Sequence, residues 1–121
     1  MLKDKALKGI QKAPPEKRYK SFLNTVTDLE QVWFLNSEDG YVTYEINGTV
    51  YLLIWPRKEF CSCFIEADEL PEAMDIHEFL LNCHGPDAPT HFMVFPTSID
   101  CYIVTTEELC ADIENYLSEV E

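Results

Sequence analysis

Apolar residues in the first third of the chain recur at a helical period. The Pro14-Pro15 pair is followed by a stripe at spacings of three, one, three and three: Tyr19, Phe22, Leu23, Val26 and Leu29. This spacing predicts an amphipathic helix of about four turns. Pro15 suits the first position of that helix, because the amide hydrogen that proline lacks has no partner there.

The period then changes to two, which predicts three strands at residues 31–36, 41–46 and 49–55. Asn47-Gly48 lies between the second and third of these, and this dipeptide favours a hairpin with a type I′ turn. The third strand is apolar on both faces. It is therefore expected to be a central strand that is covered on both sides.

Pro56 ends the third strand and is predicted to open a helix, which Phe60, Cys61, Phe64 and Ala67 continue. Residues 66–73 are acidic and contain a proline, so they are predicted to form a loop. The next helix has its predicted N-terminal cap at Asp75. Its predicted buried stripe consists of Ile76, Phe79, Leu80 and Cys83.

Two further strands and a helix complete the chain. The strands are predicted at residues 91–95 and from residue 99 or 101 to 105, with a turn at Pro96-Thr97-Ser98. Thr105 and Glu108 have the spacing of a capping box. The stripe of the last helix consists of Leu109, Ile113, Tyr116, Leu117 and Val120.

The element order αβββααββα predicts an α+β fold. We expect a five-stranded mixed sheet, made of a three-stranded meander plus a hairpin, with helices packed on it. The length of 121 residues fits one domain. We assign residues 1–14 to a basic N-terminal lead-in and residues 15–121 to a single α+β domain.

The formal net charge of −13 is spread unevenly. Residues 1–20 hold seven of the nine basic residues and two acidic ones, whereas the other 101 residues hold two basic and 20 acidic residues. Such an acidic body repels nucleic acid and anionic membranes, so neither is an expected partner. The acidity contributes to solubility, and it also favours a basic protein as partner.

Five cysteines, an odd number, do not form a closed set of disulfides. The first 13 residues are polar and lack the apolar core of a secretory leader. No stretch approaches the roughly 20 apolar residues of a membrane span. The expected location is therefore the cytoplasm, with free thiols.

Six segments resemble a bacterial family known as domain of unknown function 2750. They are residues 18–23, 32–35, 53–60, 79–80, 94–97 and 106–109, and the most specific pieces are Trp55-Pro56 and Phe95-Pro96-Thr97. The resemblance implies a small α+β domain in a bacterial cytoplasm. It implies no activity.

The most informative constellation consists of two strands that each end in an aromatic residue and a proline, Trp55-Pro56 and Phe95-Pro96. The connection between them contains two predicted helices, and such a crossover usually joins parallel strands. Both ends would then lie at one edge of the sheet, where ligands of α/β sheets commonly bind. This predicts a small-anion or metabolite site, enzymatic or not, formed by Trp55, Arg57, Lys58, Glu59, Thr97 and Ser98. The alternative is that Arg57 and Lys58 pair with nearby acids such as Glu59 or Asp68.

Other chemistry has little support in the sequence. Cys61 and Cys63 have only one residue between them, and on a helix they would not face the same way, so no metal site is predicted. His77, Cys83, His84 and His91 are more typical of structural or solvated positions. No catalytic residue and no cofactor is predicted, although a Cys83–His91 pair stays open as a nucleophile and base.

Three functions follow from these observations. The leading hypothesis is a protein-binding or regulatory module with an acidic surface. The alternative is the small-anion or metabolite domain at the Trp55-Pro56-Arg57 strand end. A third interpretation is a structural protein that forms a homodimer through an uncovered sheet face.

Overall fold

The computed structural model describes residues 9–65, 68–97 and 100–120. The helices are α1 (Pro15–Leu29), α2 (Lys58–Cys61), α3 (Ile76–Cys83) and α4 (Thr106–Val120), with a short 3₁₀ helix at Ser62–Phe64. The strands are β1 (Gln31–Ser37), β2 (Gly40–Tyr41), β3 (Thr43–Ile46), β4 (Thr49–Ile54), β5 (Leu70–Asp75), β6 (His91–Val94) and β7 (Tyr102–Thr105).

The α+β class is confirmed, but the single five-stranded sheet is wrong. Within the described residues the strands form two sheets, one with the order β2-β1-β5 and one with the order β3-β4-β6-β7. The predicted meander is broken at Val42, which separates β2 from β3. The amide of Val42 donates to the carbonyl of Leu35, and its carbonyl accepts a bond from the amide of Leu53, so this residue links the two sheets.

The prediction of a loop over residues 66–73 is wrong from Leu70 onwards, whereas Asp68 and Glu69 lie outside helices and strands as expected. Leu70–Asp75 forms β5, which pairs antiparallel with β1 over six residue pairs from Gln31↔Asp75 to Asn36↔Leu70. Because β5 lies at the edge of its sheet, it tolerates Pro71. It has a weak hydrophobic pattern because most of its side chains are exposed.

The helix predicted after Pro56 is shorter than expected. It runs from Lys58 to Cys61 and continues only as the 3₁₀ turn, while Ala67 lies outside the described residues. The carbonyl of Lys58 accepts bonds from the Cys61 thiol and the Ser62 hydroxyl. Such side-chain bonds to the backbone of the preceding turn weaken the continuation of an α-helix.

Several local predictions are confirmed. Asn47 and Gly48 both have positive φ, 51° and 85°, as a type I′ turn requires. The carboxylate of Asp75 accepts bonds from the amides of His77 and Glu78 at the start of α3. At the start of α4, the hydroxyl of Thr105 accepts a bond from the amide of Glu108 and donates to its carboxylate.

The core lies between the sheets and the three longer helices. Helices α1 and α4 pack against each other and against β7, while α3 contacts β1, β5 and α4. Phe22, Val26, Ile54, Phe92 and Ile113 are fully buried. Ile10, in the predicted lead-in, also packs against this core.

Candidate functional site

The ends of β4 and β6 lie side by side, as the sequence predicts. The two strands are parallel, with Ile54 opposite Val94. The amide of Phe95 donates to the carbonyl of Ile54 at 2.8 Å, and the indole nitrogen of Trp55 donates to the carbonyl of Pro96 at 3.1 Å. Trp55 is fully buried, so its hydrogen bond joins the two strand ends from the core side, and its ring is not exposed to solvent.

A buried arginine on α1 completes this edge. The guanidinium of Arg18 donates to the carbonyls of Phe95 at 3.2 Å, Ala13 at 2.6 Å and Asp100 at 3.2 Å, and to the carboxylate of Asp100 at 2.5 Å. Phe95 has a positive φ of 51°, which costs a bulky residue about 1–3 kcal/mol. Arg18 therefore supports a strained strand end.

Arg18 is not among the site residues that the sequence predicted. Its spacing carried the information, because Arg18, Phe22 and Val26 follow one another at intervals of four and so lie on one face of α1. A cation within a buried stripe needs acceptors that only the tertiary structure can supply.

The other predicted site residues lie around the same edge. Arg57 is half-buried with extended backbone just before α2, Lys58 is exposed at the first position of that helix, and Glu59 is half-buried. The amide of Thr97 donates to the carbonyl of Asp100 at 2.9 Å, and its hydroxyl accepts from the amide of Asp100. Ser98 lies outside the described residues.

The surroundings of Thr97 are not those of a simple anion site. The carboxylate of Asp100 lies 3.4 Å from the hydroxyl of Thr97, and it also forms the ion pair with Arg18. An anion bound at Thr97 would therefore be repelled by the carboxylate of Asp100. Binding of an anion by the predicted set of residues stays a prediction.

A second site, which the sequence analysis did not predict, lies at the opposite ends of β4 and β6. It is an open groove of about 950 Å³. Its floor consists of the apolar side chains of Phe34, Leu52, Phe79 and Phe92, and its walls include Tyr41, Val50, Met74 and Leu81. The ring of Phe79 packs near both other aromatic rings of the floor. Its centroid lies 5.5 Å from that of Phe92 and 6.0 Å from that of Phe34.

Two apolar side chains on the walls are exposed. The side chain of Leu81 on α3 is 74% exposed, and that of Val50 on β4 is 48% exposed. Leu81 does not belong to the buried stripe predicted for α3, so its apolar side chain at an outward position was the clue in the sequence. Exposed apolar residues that line a concave surface indicate a binding site.

One carboxylate lines this groove, and three others neighbour residues that line it. Asp87 lines it directly, and Glu45 shares a face with Val50 because the two residues are cross-strand neighbours. Burial raises the pKa of Tyr41, and the neighbouring carboxylates of Glu72 and Glu78 raise it further. Among the described residues that line the groove there is no lysine or arginine. We call this feature the acid-rimmed groove, with Glu45, Glu72, Glu78 and Asp87 as its rim.

Cys83 and His91, the pair left open in the sequence as a nucleophile and base, both line the acid-rimmed groove. Burial, with a smaller contribution from the neighbouring thiol of Cys110, raises the pKa of Cys83 to about 12. A reactive cysteine needs the opposite change. The Nδ1 atom of His91 lies 2.9 Å from the hydroxyl of Thr90.

The residues considered for a metal site are dispersed. His77 lies beside Glu30 and His84 beside Glu114, at 3.3 and 3.6 Å. The side chain of Cys63 is outside the described part of the structure. In the described ranges, no group of three or more histidine, cysteine or acidic residues could hold a metal ion.

No helix in the described part of the chain is both long enough and apolar enough to cross a bilayer.

The fold is that of a small α+β domain with an open groove that is lined largely by apolar residues. The chain belongs to the family described as Protein of unknown function (DUF2750), which matches residues 19–85. This confirms the resemblance found in the sequence. No curated protein and no solved structure shows a significant match to the chain.

Proposed function

We propose that this chain is a protein-binding or regulatory module that takes up part of a basic partner protein in the acid-rimmed groove. The observation that supports the proposal is the exposure of Leu81 and Val50 on the walls of a groove with a rim of carboxylates. Buried apolar contacts supply affinity, and opposite charge at the rim steers encounter and selects partners.

The distribution of charge supports the same function. Arg57 and Lys58, the two basic residues beyond residue 20, follow the far end of β4, whereas the groove lies near its first residues. A basic partner therefore meets carboxylates at the groove without competing cations from its lining. Because rim charges are exposed, their attraction should weaken as salt increases.

The test compares two leucine variants of the full chain. Leu81 is 74% exposed in the groove, and Leu70 on β5 is 68% exposed outside it. Tagged wild type, Leu81→Gln and Leu70→Gln are used to capture proteins from native extract at low and high salt, and captured proteins are identified by mass spectrometry. The proposal predicts a stoichiometric basic protein that is lost with Leu81→Gln, is retained with Leu70→Gln and elutes with salt. Equal capture by the two variants would contradict it.

The second candidate is a small-anion or metabolite domain, with or without enzymatic activity, at the Trp55-Pro56-Arg57 strand end. It is favoured by the position of the half-buried Arg57 beside the ends of β4 and β6, which the hydrogen bond from Trp55 to Pro96 joins. A phosphate or carboxylate ligand that binds there raises the melting temperature of the wild type. The Arg57→Ala variant should fold and lose that shift. An identical shift in both proteins would eliminate this candidate.

A further inference from the structure

The backbone around the acid-rimmed groove restricts what can bind in it. Its floor residues Phe34, Leu52 and Phe92 come from β1, β4 and β6, and each of these strands is paired on both sides within its sheet. The floor therefore offers side chains and little free backbone, and the edge strands β2 and β3 contribute only Tyr41 and Thr43 to the lining. An extended peptide laid across it would leave its own amides and carbonyls without partners, at a cost for each buried group.

A helix avoids this cost because its backbone bonds are made internally. We propose that the groove binds an amphipathic helix of a partner protein, with an apolar stripe flanked by lysine or arginine. The inference rests on the proposed function and specifies the element that is recognised. The apolar stripe of such a helix would lie between the walls formed by Val50 and Leu81, over the aromatic floor.

The positions of the carboxylates indicate that the bound helix of the partner carries positive charge. Glu72 accepts a bond from the side-chain amide of Asn36 at 3.2 Å and lies beside Tyr41, so it is held at the groove by side chains of β1 and β2. Glu45 and Asp87 lie on the hairpin and on the loop after α3. These acids thus come from β3, β5 and the loop after α3, and lysines beside the apolar stripe of a bound helix can approach them.

Hydrogen bonds to α4 hold the loop after α3, which lines the groove. The amide of Thr106 donates to the carbonyl of Thr90 at 3.0 Å, and the hydroxyl of Thr106 donates to the carbonyl of Pro89. These bonds attach the loop to the first residue of α4. Binding to a preformed groove loses less conformational entropy than binding that must order a loop.

The experiment uses three labelled peptides of about 15 residues, the length at which an isolated helix begins to hold. The first has leucines at helical spacing and lysines elsewhere, the second has glutamates in place of the lysines, and the third is a scrambled form of the first. Binding to the full chain is measured by fluorescence anisotropy at low and moderate salt. The matched variants are Leu81→Gln in the groove and Leu70→Gln outside it.

The basic amphipathic peptide should bind, and the acidic and scrambled peptides should bind far more weakly. Leu81→Gln should weaken binding roughly tenfold, since a leucine side chain loses its apolar contact, while Leu70→Gln should leave it unchanged. A Glu45→Gln, Asp87→Asn double variant should flatten the salt dependence. Equal binding of the scrambled peptide would overturn the inference, because it would show attraction of charge alone.

Three further results decide between this inference, the proposed function and a second copy as the occupant. If extract capture depends on Leu81 while the basic amphipathic peptide fails to bind, the groove is a binding site and the inference of a helix is wrong. If neither capture nor peptide binding depends on Leu81, both proposals fail. A dimer of the wild type in sedimentation that is lost with Leu81→Gln would identify a second copy as the occupant and overturn the inference.

Discussion

Replacement of Arg18 by methionine should destabilise the fold by about 3 kcal/mol. The guanidinium is 1% exposed, and its removal leaves the carbonyls of Phe95, Ala13 and Asp100 without this donor. Each buried acceptor left unsatisfied costs about 1–3 kcal/mol, but water can reach the two that are only partly buried. The carboxylate of Asp100 is 42% exposed and can be hydrated, which lowers the cost of breaking the ion pair below that of a fully buried one.

Two milder substitutions should follow in a definite order. Arg18→Lys keeps the charge but loses the planar group that reaches several acceptors, so we expect a cost of about 2 kcal/mol. Asp100→Asn leaves the three carbonyl acceptors of Arg18 in place and should cost about 1 kcal/mol or less. The loss for Arg18→Met is a large part of the roughly 5–15 kcal/mol by which a domain is stable.

The assay is urea unfolding at neutral pH, followed by the fluorescence of Trp33 and Trp55. With a slope of about 2 kcal/mol per molar urea, the Arg18→Met midpoint should fall by roughly 1.5 M without a change in slope. A midpoint within about 0.3 M of wild type would refute the reasoning, because it would mean that Arg18 contributes no net stability to this edge.

Three other predictions concern separate features. Gly48→Ala should cost about 1 kcal/mol in the same assay, because Gly48 has φ +85° while its added Cβ meets no atom within 4 Å; an unchanged midpoint would contradict this. Because burial raises the pKa of Cys83 to about 12 from a usual 9.0, the unfolded chain binds fewer protons above pH 9. Under reducing conditions the unfolding free energy should therefore decrease as pH rises from about 9 towards 12, and it should decrease less in Cys83→Ala. An equal decrease in both proteins would show that the Cys83 thiol is not the cause. The partly exposed Cys101 should react with iodoacetamide before the buried Cys83 at mildly alkaline pH, as mass mapping would show, and the reverse order would contradict the burial of Cys83.

Local chemistry in the sequence was sufficient for the elements that depend on near neighbours. Apolar spacing predicted α1, and the Asn47-Gly48 pair predicted the hairpin, because positive φ is a property of those two residues. The caps at Asp75 and Thr105 were predictable for the same reason, since each bonds within the first turn of its helix. The long connection between β4 and β6 also indicated their parallel pairing, which follows from a general rule of chain connection.

The tertiary structure alone decided the features that depend on distant partners. Strand β5 has an acidic, weakly patterned sequence, and its backbone becomes a strand because β1 supplies the hydrogen-bonding partners. The two sheets arise at Val42, where one residue bonds to both Leu35 and Leu53.

The buried arginine and the groove depend on the same kind of long-range contact. The acceptors of Arg18 lie up to 82 residues away along the chain, so the sequence showed a cation in a buried stripe but not what surrounds it. The acid-rimmed groove forms only when Phe34, Phe79 and Phe92 meet beneath Leu81. The sequence by itself determined the three longer helices, the Asn47-Gly48 turn and the charge of this protein, because these depend on neighbouring residues or on composition. Its two-sheet arrangement and its groove depend on contacts that exist only after the chain has folded.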